Sequence, residues 1–383
     1  MTEEKRPSCE WHVERTVQEA CEESGAETIQ LTSAPLIHSH IYPEAPVFTP
    51  DSRFFVYARF PALDQPREYW LCEVGNWRLY RLTYESPVNG PVVAPDGDHL
   101  YYVWERRQGV IVLLRLNLWS LLREELAVAE NVTRPYPLGT MSPDGRYYAT
   151  RVFLPDGVAA ILRFDVEERQ SQVIHAHPEI FNAHMQWEPG QGKDILIQHN
   201  RGGVRDERGR LIRLTGPAGG TLYLIDASGG NVRPLAIGTP YTPRIQGHQC
   251  WLGRSGRVLA TLGGDFEREG KKGNLVTVAE GDDAPTVVAG GRYFCHVSAS
   301  PDGRLFICDE NPSADIYVGS AQTGACSLLC RSGSVFGSPQ YTHPHPFLSP
   351  DCRYAFFNSV KTGIAQIYAC TIPDGFLESL AAG

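Results

Sequence analysis

Three features are missing from this chain, and each absence excludes a class of protein. No run of apolar residues is long enough to cross a bilayer, so we expect no transmembrane helix. The first 24 residues are polar and charged and contain no apolar segment of the kind found in secretory signals, so we expect a cytoplasmic protein. None of the 10 cysteines forms a Cys-x-x-Cys pair, which argues against a zinc ribbon and for free thiols.

An excess of positive charge is also absent. The chain has 35 Lys and Arg residues against 44 Asp and Glu residues, a net charge of −9. This balance argues against a nucleic acid or a membrane surface as a partner. The chain has 383 residues, 42% of them hydrophobic and 21% charged, which is typical of a globular protein larger than most single-core domains. We therefore expect either two domains or one large modular architecture.

One turn motif recurs along the chain, and each copy is followed by an aromatic or aliphatic strand. The clear copies have the pattern Ser/Thr/Ala-Pro-Asp and begin at Thr49, Ala94, Ser142, Ser300 and Ser349. Two weaker copies begin at Glu188 and Gly253. The repeat length is roughly 45–50 residues, apart from one longer interval, and such a period of strands and turns is typical of a β-propeller.

Seven copies predict an all-β, seven-bladed β-propeller that spans residues 25–383. Residues 1–24 are expected to form a peripheral polar extension with a short helix around Val13–Glu23. We expect the ring to close through pairing of Glu27–Thr32 with Ile367–Ile372, because closure removes the free sheet edges.

The longer interval contains an insertion, residues 200–220, which is rich in glycine and arginine. Its arginines are Arg201, Arg205, Arg208, Arg210 and Arg213. In repeat proteins such insertions usually lie in loops on one face, often the binding face. The alternative is a solvated loop without a binding role, and the sequence leaves both open.

Histidines occupy the same position in four consecutive repeats. Five residues before the turn proline, or its equivalent, the chain has His184, His248, His296 and His345. Equivalent positions that lead into the first strand of each blade converge on the central channel, so we expect these side chains to share one pocket. Converging imidazoles indicate a metal, an anionic ligand or proton transfer.

The segment Gln340–Pro346, which reads Gln-Tyr-Thr-His-Pro-His-Pro, is the best candidate for a metal site. If it is extended, His343 and His345 lie on one face, and its prolines restrict it to an edge strand. Together with His296, the segment offers three nitrogens and the Gln340 oxygen, which suits Zn, Fe, Ni or Mn. His248 would then be free to act as a general base.

The same segments carry a resemblance to the oligogalacturonate lyases, a family of seven-bladed propeller enzymes. Gln340–Pro346 resembles the Gln-x-x-His-Pro-His-Pro metal motif of that family, and Cys295-His-Val matches its remaining metal histidine, at His296. Gly247-His-Gln-Cys-Trp resembles the segment with the catalytic histidine, at His248. Ala183-His-Met resembles a histidine segment of the cleft, at His184. The resemblance implies Mn²⁺, a cytoplasmic location and a digalacturonate substrate.

One departure from this family matters. Where the family has an active-site arginine before a Met-Trp-Leu-Ile strand, this sequence has Thr221 before Leu222-Tyr-Leu-Ile. We expect Arg201 or Arg205 of the insertion to supply the cation, or the substrate to be a different uronate.

The sequence thus predicts a metal-dependent lyase that cleaves short anionic oligosaccharides by β-elimination, with His184, His199 and Arg201 binding substrate. The alternatives are a non-catalytic propeller scaffold and a lyase for another uronate. A serine hydrolase of the prolyl-oligopeptidase type is excluded, because no Gly-x-Ser-x-Gly element with a following α/β domain is present. The seven-copy period also argues against a cupin. The pair His175 and His177 is predicted to be a surface feature.

Overall fold

Nearly all regular secondary structure is antiparallel strand in the computed structural model, which describes residues 10–14, 17–62, 65–206 and 209–382. The expected all-β fold is therefore confirmed. Two strands precede the repeats, β1 (Gln18–Ala20) and β2 (Glu27–Gln30). Among the described residues, no helix has both the length and the apolar character needed to span a bilayer.

Three four-stranded meanders come next along the chain. The first comprises β3 (Ile37–His40), β4 (Phe54–Phe60), β5 (Glu68–Glu73) and β6 (Leu79–Arg81). The second comprises β7 (Val88–Val93), β8 (His99–Arg107), β9 (Val110–Asn117) and β10 (Arg123–Glu130). The third comprises β11 (Gly139–Met141), β12 (Tyr147–Phe153), β13 (Ala159–Asp165) and β14 (Gln170–Ala176).

The middle of the chain forms one larger sheet and a small hairpin. Its first strands are β15 (Gln186–Trp187), β16 (Asp194–Asn200), β17 (Val204–Arg205), β18 (Leu211–Arg213), β19 (Gly220–Asp226) and β20 (Arg233–Pro234). They are followed by β21 (Ile245–Trp251), β22 (Arg257–Arg268), β23 (Lys271–Ala279) and β24 (Thr286–Ala289). The hairpin is β17–β18, within the predicted insertion, and the other eight strands form one sheet.

The last part of the chain contains one more meander and the closing sheet. The meander comprises β25 (Phe294–Ala299), β26 (Leu305–Glu310), β27 (Asp315–Ser320) and β28 (Cys326–Arg331). After a 3₁₀ helix (Gln340–Thr342), the closing sheet contains β29 (Phe347–Leu348), β30 (Tyr354–Ser359) and β31 (Gln366–Thr371), and a short helix, α1 (Phe376–Ala382), ends the described chain.

Pairing between the two ends of the chain completes the closing sheet. Its strand order is β1-β2-β31-β30-β29, and Thr28 pairs with Cys370. The predicted closure is therefore confirmed. The eight-stranded sheet is linked in its middle by the residue pair Gly220 and Ile245. If it is divided there, the repeat units match the seven copies of the turn motif, although the number of blades stays a prediction.

The prediction of a helix around Val13–Glu23 is wrong for the residues that the structure describes. Gln18–Ala20 is a strand that pairs with β2, with Gln18 opposite Ile29. The open edge of β2 offers backbone partners, and this tertiary pairing overrides the local helix pattern. Residues 15 and 16 lie outside the described residues, and so does Arg208 of the insertion.

Side-chain hydrogen bonds explain why the turn motif contains Ser or Thr before Pro-Asp. The hydroxyls of Thr49, Ser142, Ser300 and Ser349 donate to the aspartate two residues later in the chain. In each case the same aspartate oxygen accepts the backbone N–H two residues further on. Each turn is thus stabilised by its own aspartate, independently of the rest of the fold.

Close packing explains one gap in the histidine register. Gly90 takes the register position in the second unit and has a positive φ of 61°. The fully buried Tyr148 donates its hydroxyl to the carbonyl of Gly90 over 2.6 Å. A Cβ at this position would lie 2.3 Å from that hydroxyl oxygen, so a histidine does not fit here.

Candidate metal centre and active site

Irregular pairing in two inner strands aims His248 and His296 at one another. The register of β21 shifts between Ile245 and Gln249, and that of β25 shifts between Phe294 and Val297. Such bulges bend a strand and redirect its side chains, and they are common beside active sites. Here they bring the two imidazole centroids to 4.1 Å.

A different local geometry brings in His343 and His345. The 3₁₀ helix ends at His343, which is extended with φ −79° and ψ 149°. His345 has a positive φ of 47°, so the stretch is not the regular extended strand that the sequence suggested. The two imidazoles still converge, with centroids 5.4 Å apart, and the ring of His345 lies 4.0 Å from that of His296.

The three imidazoles of His296, His343 and His345 present nitrogens that lie within 4.8 Å of one another. Nδ1 of His296 lies 2.7 Å from Oδ2 of Asp309, and Nε2 of His343 lies 2.7 Å from the carbonyl oxygen of Gly337. With Asp309 ionised and both rings neutral, the two partners act as acceptors and these nitrogens carry the protons. The other two nitrogens, Nε2 of His296 and Nδ1 of His343, are therefore unprotonated, and they face each other over 3.5 Å.

Two facing lone pairs repel unless a cation lies between them. With metal–nitrogen bonds of about 2.1 Å, neighbouring ligand nitrogens are roughly 3.0–3.4 Å apart, close to the observed separation. The third nitrogen, Nε2 of His345, is buried and has no hydrogen-bond partner among the described residues. This donor set fits one divalent metal ion.

Burial favours the neutral form of the His296 and His345 imidazoles, the form that binds metals. Burial, helped by the neighbouring His343 imidazole, lowers the pKa of His296 well below its ordinary value. Burial and the His296 imidazole lower the pKa of His345 in the same way. Burial also raises the pKa of Asp309 to about 7, against the opposing effect of the backbone N–H of His296. A cation at the imidazoles would favour the Asp309 carboxylate form.

His248 lies beside this cluster and has a different partner. Its Nδ1 is 2.9 Å from the hydroxyl oxygen of Tyr42. Burial, followed by the His296 imidazole, lowers the pKa of His248 well below its ordinary value, so the ring is neutral at pH 7. If Nδ1–H donates to Tyr42, Nε2 is left unprotonated and can accept a proton.

The loop between β3 and β4 supplies Tyr42 and Glu44, which sequence reasoning missed. Tyr42 contacts His184 and His345, with ring centroids 5.0 and 4.8 Å apart. Nδ1 of His184 lies 2.6 Å from a carboxylate oxygen of Glu44. Burial raises the pKa of Glu44, while the charge of His184 opposes this shift. A sequence signal exists, because Tyr42-Pro43-Glu44 immediately precedes Ala45, the register position of the first unit.

The structure thus brings five of the eight predicted site residues together, namely His184, His248, His296, His343 and His345. Gln340 is exposed in the 3₁₀ helix, where its backbone oxygen accepts a hydrogen bond of 2.9 Å from the N–H of His343. Its role as an oxygen ligand stays a prediction.

His199 and Arg201 have other partners. Nε2 of His199 lies 2.8 Å from Glu179, and the His199 ring lies 4.8 Å from that of His177. His175 and His177 are half-buried, and Nε2 of His175 lies 2.8 Å from the hydroxyl oxygen of Tyr223; their assignment as a surface feature stays a prediction.

The guanidinium group of Arg201 forms its hydrogen bonds with the protein backbone. It donates to the carbonyls of Gly219, Ala218 and Thr239 over 3.1, 2.6 and 2.7 Å. Thr221 likewise donates its hydroxyl to the carbonyl of Ile237 over 2.5 Å. Both residues therefore hold the chain together around the start of β19.

Fold and site together define a β-propeller with a triad of imidazoles, two of them buried, that is suited to a divalent metal. No family model matches the chain. It is similar to oligogalacturonate lyase from Dickeya dadantii (strain 3937), with 21% identity over 92% of this chain and 94% of that protein. The resemblance noted in the sequence is confirmed.

Two solved structures share the fold. The crystal structure of oligogalacturonate lyase from Vibrio parahaemolyticus is 17% identical, has a TM-score of 0.74, and aligns over 97% of this chain and 100% of its own. A structure of oligogalacturonate lyase in complex with manganese is 19% identical, has a TM-score of 0.75, and aligns over 96% of this chain and 99% of its own.

Proposed function

We propose that this protein is a metal-dependent carbon–oxygen lyase that cleaves short uronate oligosaccharides of the oligogalacturonate type by β-elimination. The observation that carries the proposal is the pair of unprotonated nitrogens, on His296 and His343, that face each other over 3.5 Å beside a neutral His248. A metal centre and a separate base in contact are what proton abstraction next to a carboxylate requires. The similar proteins named above support the choice of substrate.

The metal is assigned to His296, His343, His345 and Gln340. We assign it as Mn²⁺, in line with the manganese complex of the similar lyase. When bound, such an ion supplies Lewis acidity that stabilises negative charge developing on a substrate carboxylate. The protein's own part is to fix the imidazole tautomers through Asp309 and Gly337, so that unprotonated nitrogens face the site.

His248 is assigned as the base, acting through Nε2. It takes the proton from C5 of the uronate, the electrons of that bond form the C4–C5 double bond, and the C4–O bond breaks. The leaving oxygen gains a proton from solvent, so the products are an unsaturated uronate and a shortened sugar. Tyr42 acts as a positioning residue, because its hydroxyl holds Nδ1 of His248 at 2.9 Å.

His184 and His199 are retained as candidate substrate-binding residues, together with Arg201 as assigned from the sequence. The hydrogen bonds of Arg201 to three carbonyls weigh against a role of this arginine in substrate binding. We also propose pectin degradation as the process and the cytoplasm as the location. In agreement with the latter, the described cysteines form no disulfide.

The test is an ultraviolet absorbance assay on a panel of uronate disaccharides, with and without Mn²⁺. We expect metal-dependent formation of the conjugated double bond. His248→Ala should abolish turnover while metal content stays unchanged, whereas His343→Ala or His345→Ala should lose metal. His99→Ala is the control, because His99 pairs with Asp96 at a turn outside the site.

Two results would overturn the proposal. Absence of any product from every uronate, by absorbance and by mass spectrometry, would exclude the lyase and leave a binding scaffold. Normal turnover by His248→Ala would instead exclude His248 as the base.

A further inference from the structure

A cavity of about 450 Å³ lies between β19 and β21, next to the bulge that carries His248. Its wall includes Asn200 at the end of β16, Gly220 at the start of β19, and Tyr293 before β25. Residues 244–247, which immediately precede His248 in the chain, form part of its wall. The cavity therefore borders the segment that carries the proposed catalytic base.

Arg244 brings a positive charge to this cavity. Its side chain is exposed, and among the residues that the structure describes it has neither an ion pair nor a side-chain hydrogen bond. Two glycines make room for its stem. A Cβ on Gly219 would lie 2.4 Å from Cβ of Arg244, and a Cβ on Gly263 would lie 3.2 Å from its Cγ. The stem is thus held in place while the guanidinium group keeps its full hydrogen-bonding capacity.

Asn200 adds a second side chain with unused hydrogen-bonding groups to the same cavity. It is fully buried, and neither its amide nitrogen nor its amide oxygen has a hydrogen-bond partner among the described residues. Leaving a buried polar group unpaired is unfavourable, so native proteins rarely do so without a ligand or a water molecule. An amide offers one donor side and one acceptor side, which suits a carboxylate oxygen and a sugar hydroxyl.

From these observations we propose that Arg244 and Asn200 form a subsite for the carboxylate of the sugar unit next to the one that is cleaved. The proposed subsite rests on the proposed function. Arg244 is the cation that would recognise an anionic oligosaccharide. A guanidinium group binds a carboxylate through two parallel hydrogen bonds, so it distinguishes a uronate from a neutral sugar. Arg201 does not compete for this role, because its guanidinium is bound to three carbonyls.

The experiment compares Arg244→Ala, Arg244→Lys and Arg254→Ala. Arg254 is the matched control: it is exposed, lies in the next turn of the same sheet, and borders a different cavity of about 370 Å³ with the turn prolines. The probe is digalacturonate with Mn²⁺. KM and kcat are measured in the active protein, and Kd is measured by calorimetry in the His248→Ala background.

We expect Arg244→Ala to raise KM and Kd about 10- to 100-fold, the usual range for losing a charge-assisted bidentate pair. Arg244→Lys should recover part of the affinity, since the charge returns without the planar fork. Digalacturonate methyl-esterified on the non-cleaved unit should bind the unmodified protein and Arg244→Ala with similar affinity.

The failures of the two proposals are distinguishable. If the unmodified protein binds and cleaves digalacturonate but Arg244→Ala behaves like Arg254→Ala, the subsite is wrong and the proposed function stands. If the unmodified protein neither binds nor cleaves any uronate, the proposed function is wrong and the subsite falls with it.

Discussion

Replacing Asp309 with asparagine should weaken metal binding without disturbing the fold. Both carboxylate oxygens of Asp309 are used by His296: one accepts its backbone N–H over 2.7 Å, and the other accepts Nδ1–H over 2.7 Å. An asparagine keeps only one acceptor. If that oxygen still accepts the backbone N–H, the new NH₂ group faces Nδ1 of His296, which must then give up its proton.

The proton would move to Nε2 of His296, the nitrogen that faces Nδ1 of His343 over 3.5 Å. A hydrogen bond between the imidazoles would then occupy the place of the metal. Changes to groups that orient a metal-binding histidine typically cost 10- to 100-fold in affinity. That range corresponds to about 1.4–2.8 kcal/mol of binding free energy.

Calorimetric titration of the metal-free protein with Mn²⁺ measures this effect directly. The control is Asp302→Asn, because Asp302 is a half-exposed turn aspartate whose side chain is bonded to Ser300 and Arg304. Melting in chelator shows whether the Asp309→Asn protein is folded. A Kd for Mn²⁺ within twofold of the unmodified value, in a folded variant, would refute the assignment of tautomers.

Two further predictions concern the positioning of the base and the closure of the ring. Tyr42→Phe should lower kcat about tenfold or more, because a misplaced base loses much of its usual contribution to the rate. The Kd for Mn²⁺ should stay unchanged. An unchanged kcat would show that Tyr42 has no role in the mechanism. Phe356→Ala should lower the free energy of unfolding by about 3–5 kcal/mol in urea. Phe356 is fully buried and contacts Phe55 of the first unit at 4.7 Å between centroids, so a loss below about 1 kcal/mol would contradict its role in joining the ends of the ring.

The fold was predictable because its defining signal is local and repeated. Each Pro-Asp turn is stabilised within five residues, as Ser300, Asp302 and Arg304 show, so the turns can be read from the sequence without knowing the fold. The segment before residue 25 gave no such signal. Gln18–Ala20 is a strand only because the edge of β2 is available, and that edge depends on closure by the far end of the chain.

The histidines of the site were predictable for the same reason, whereas their partners were not. Histidine recurs at the same repeat position in His184, His248, His296 and His345. In a repeat protein, residues at equivalent positions of neighbouring repeats lie close together. Asp309 is a fully buried acidic residue near the end of β26, followed by Glu310, and nothing local shows that it faces His296 rather than the next sheet. It was missed because its role comes from the pairing of two strands.

Thr221 stands where the resembled family has an arginine, and the structure suggests how the site compensates. Gly220 pairs with Ile245, and this pair joins the two halves of the eight-stranded sheet. Thr221 adjoins one member of the pair and Arg244 adjoins the other. Of these two residues, Arg244 borders the cavity, where its stem needs room. Gly219 and Gly263 provide that room for Arg244, so a charge missing from β19 does not by itself argue against an anionic substrate.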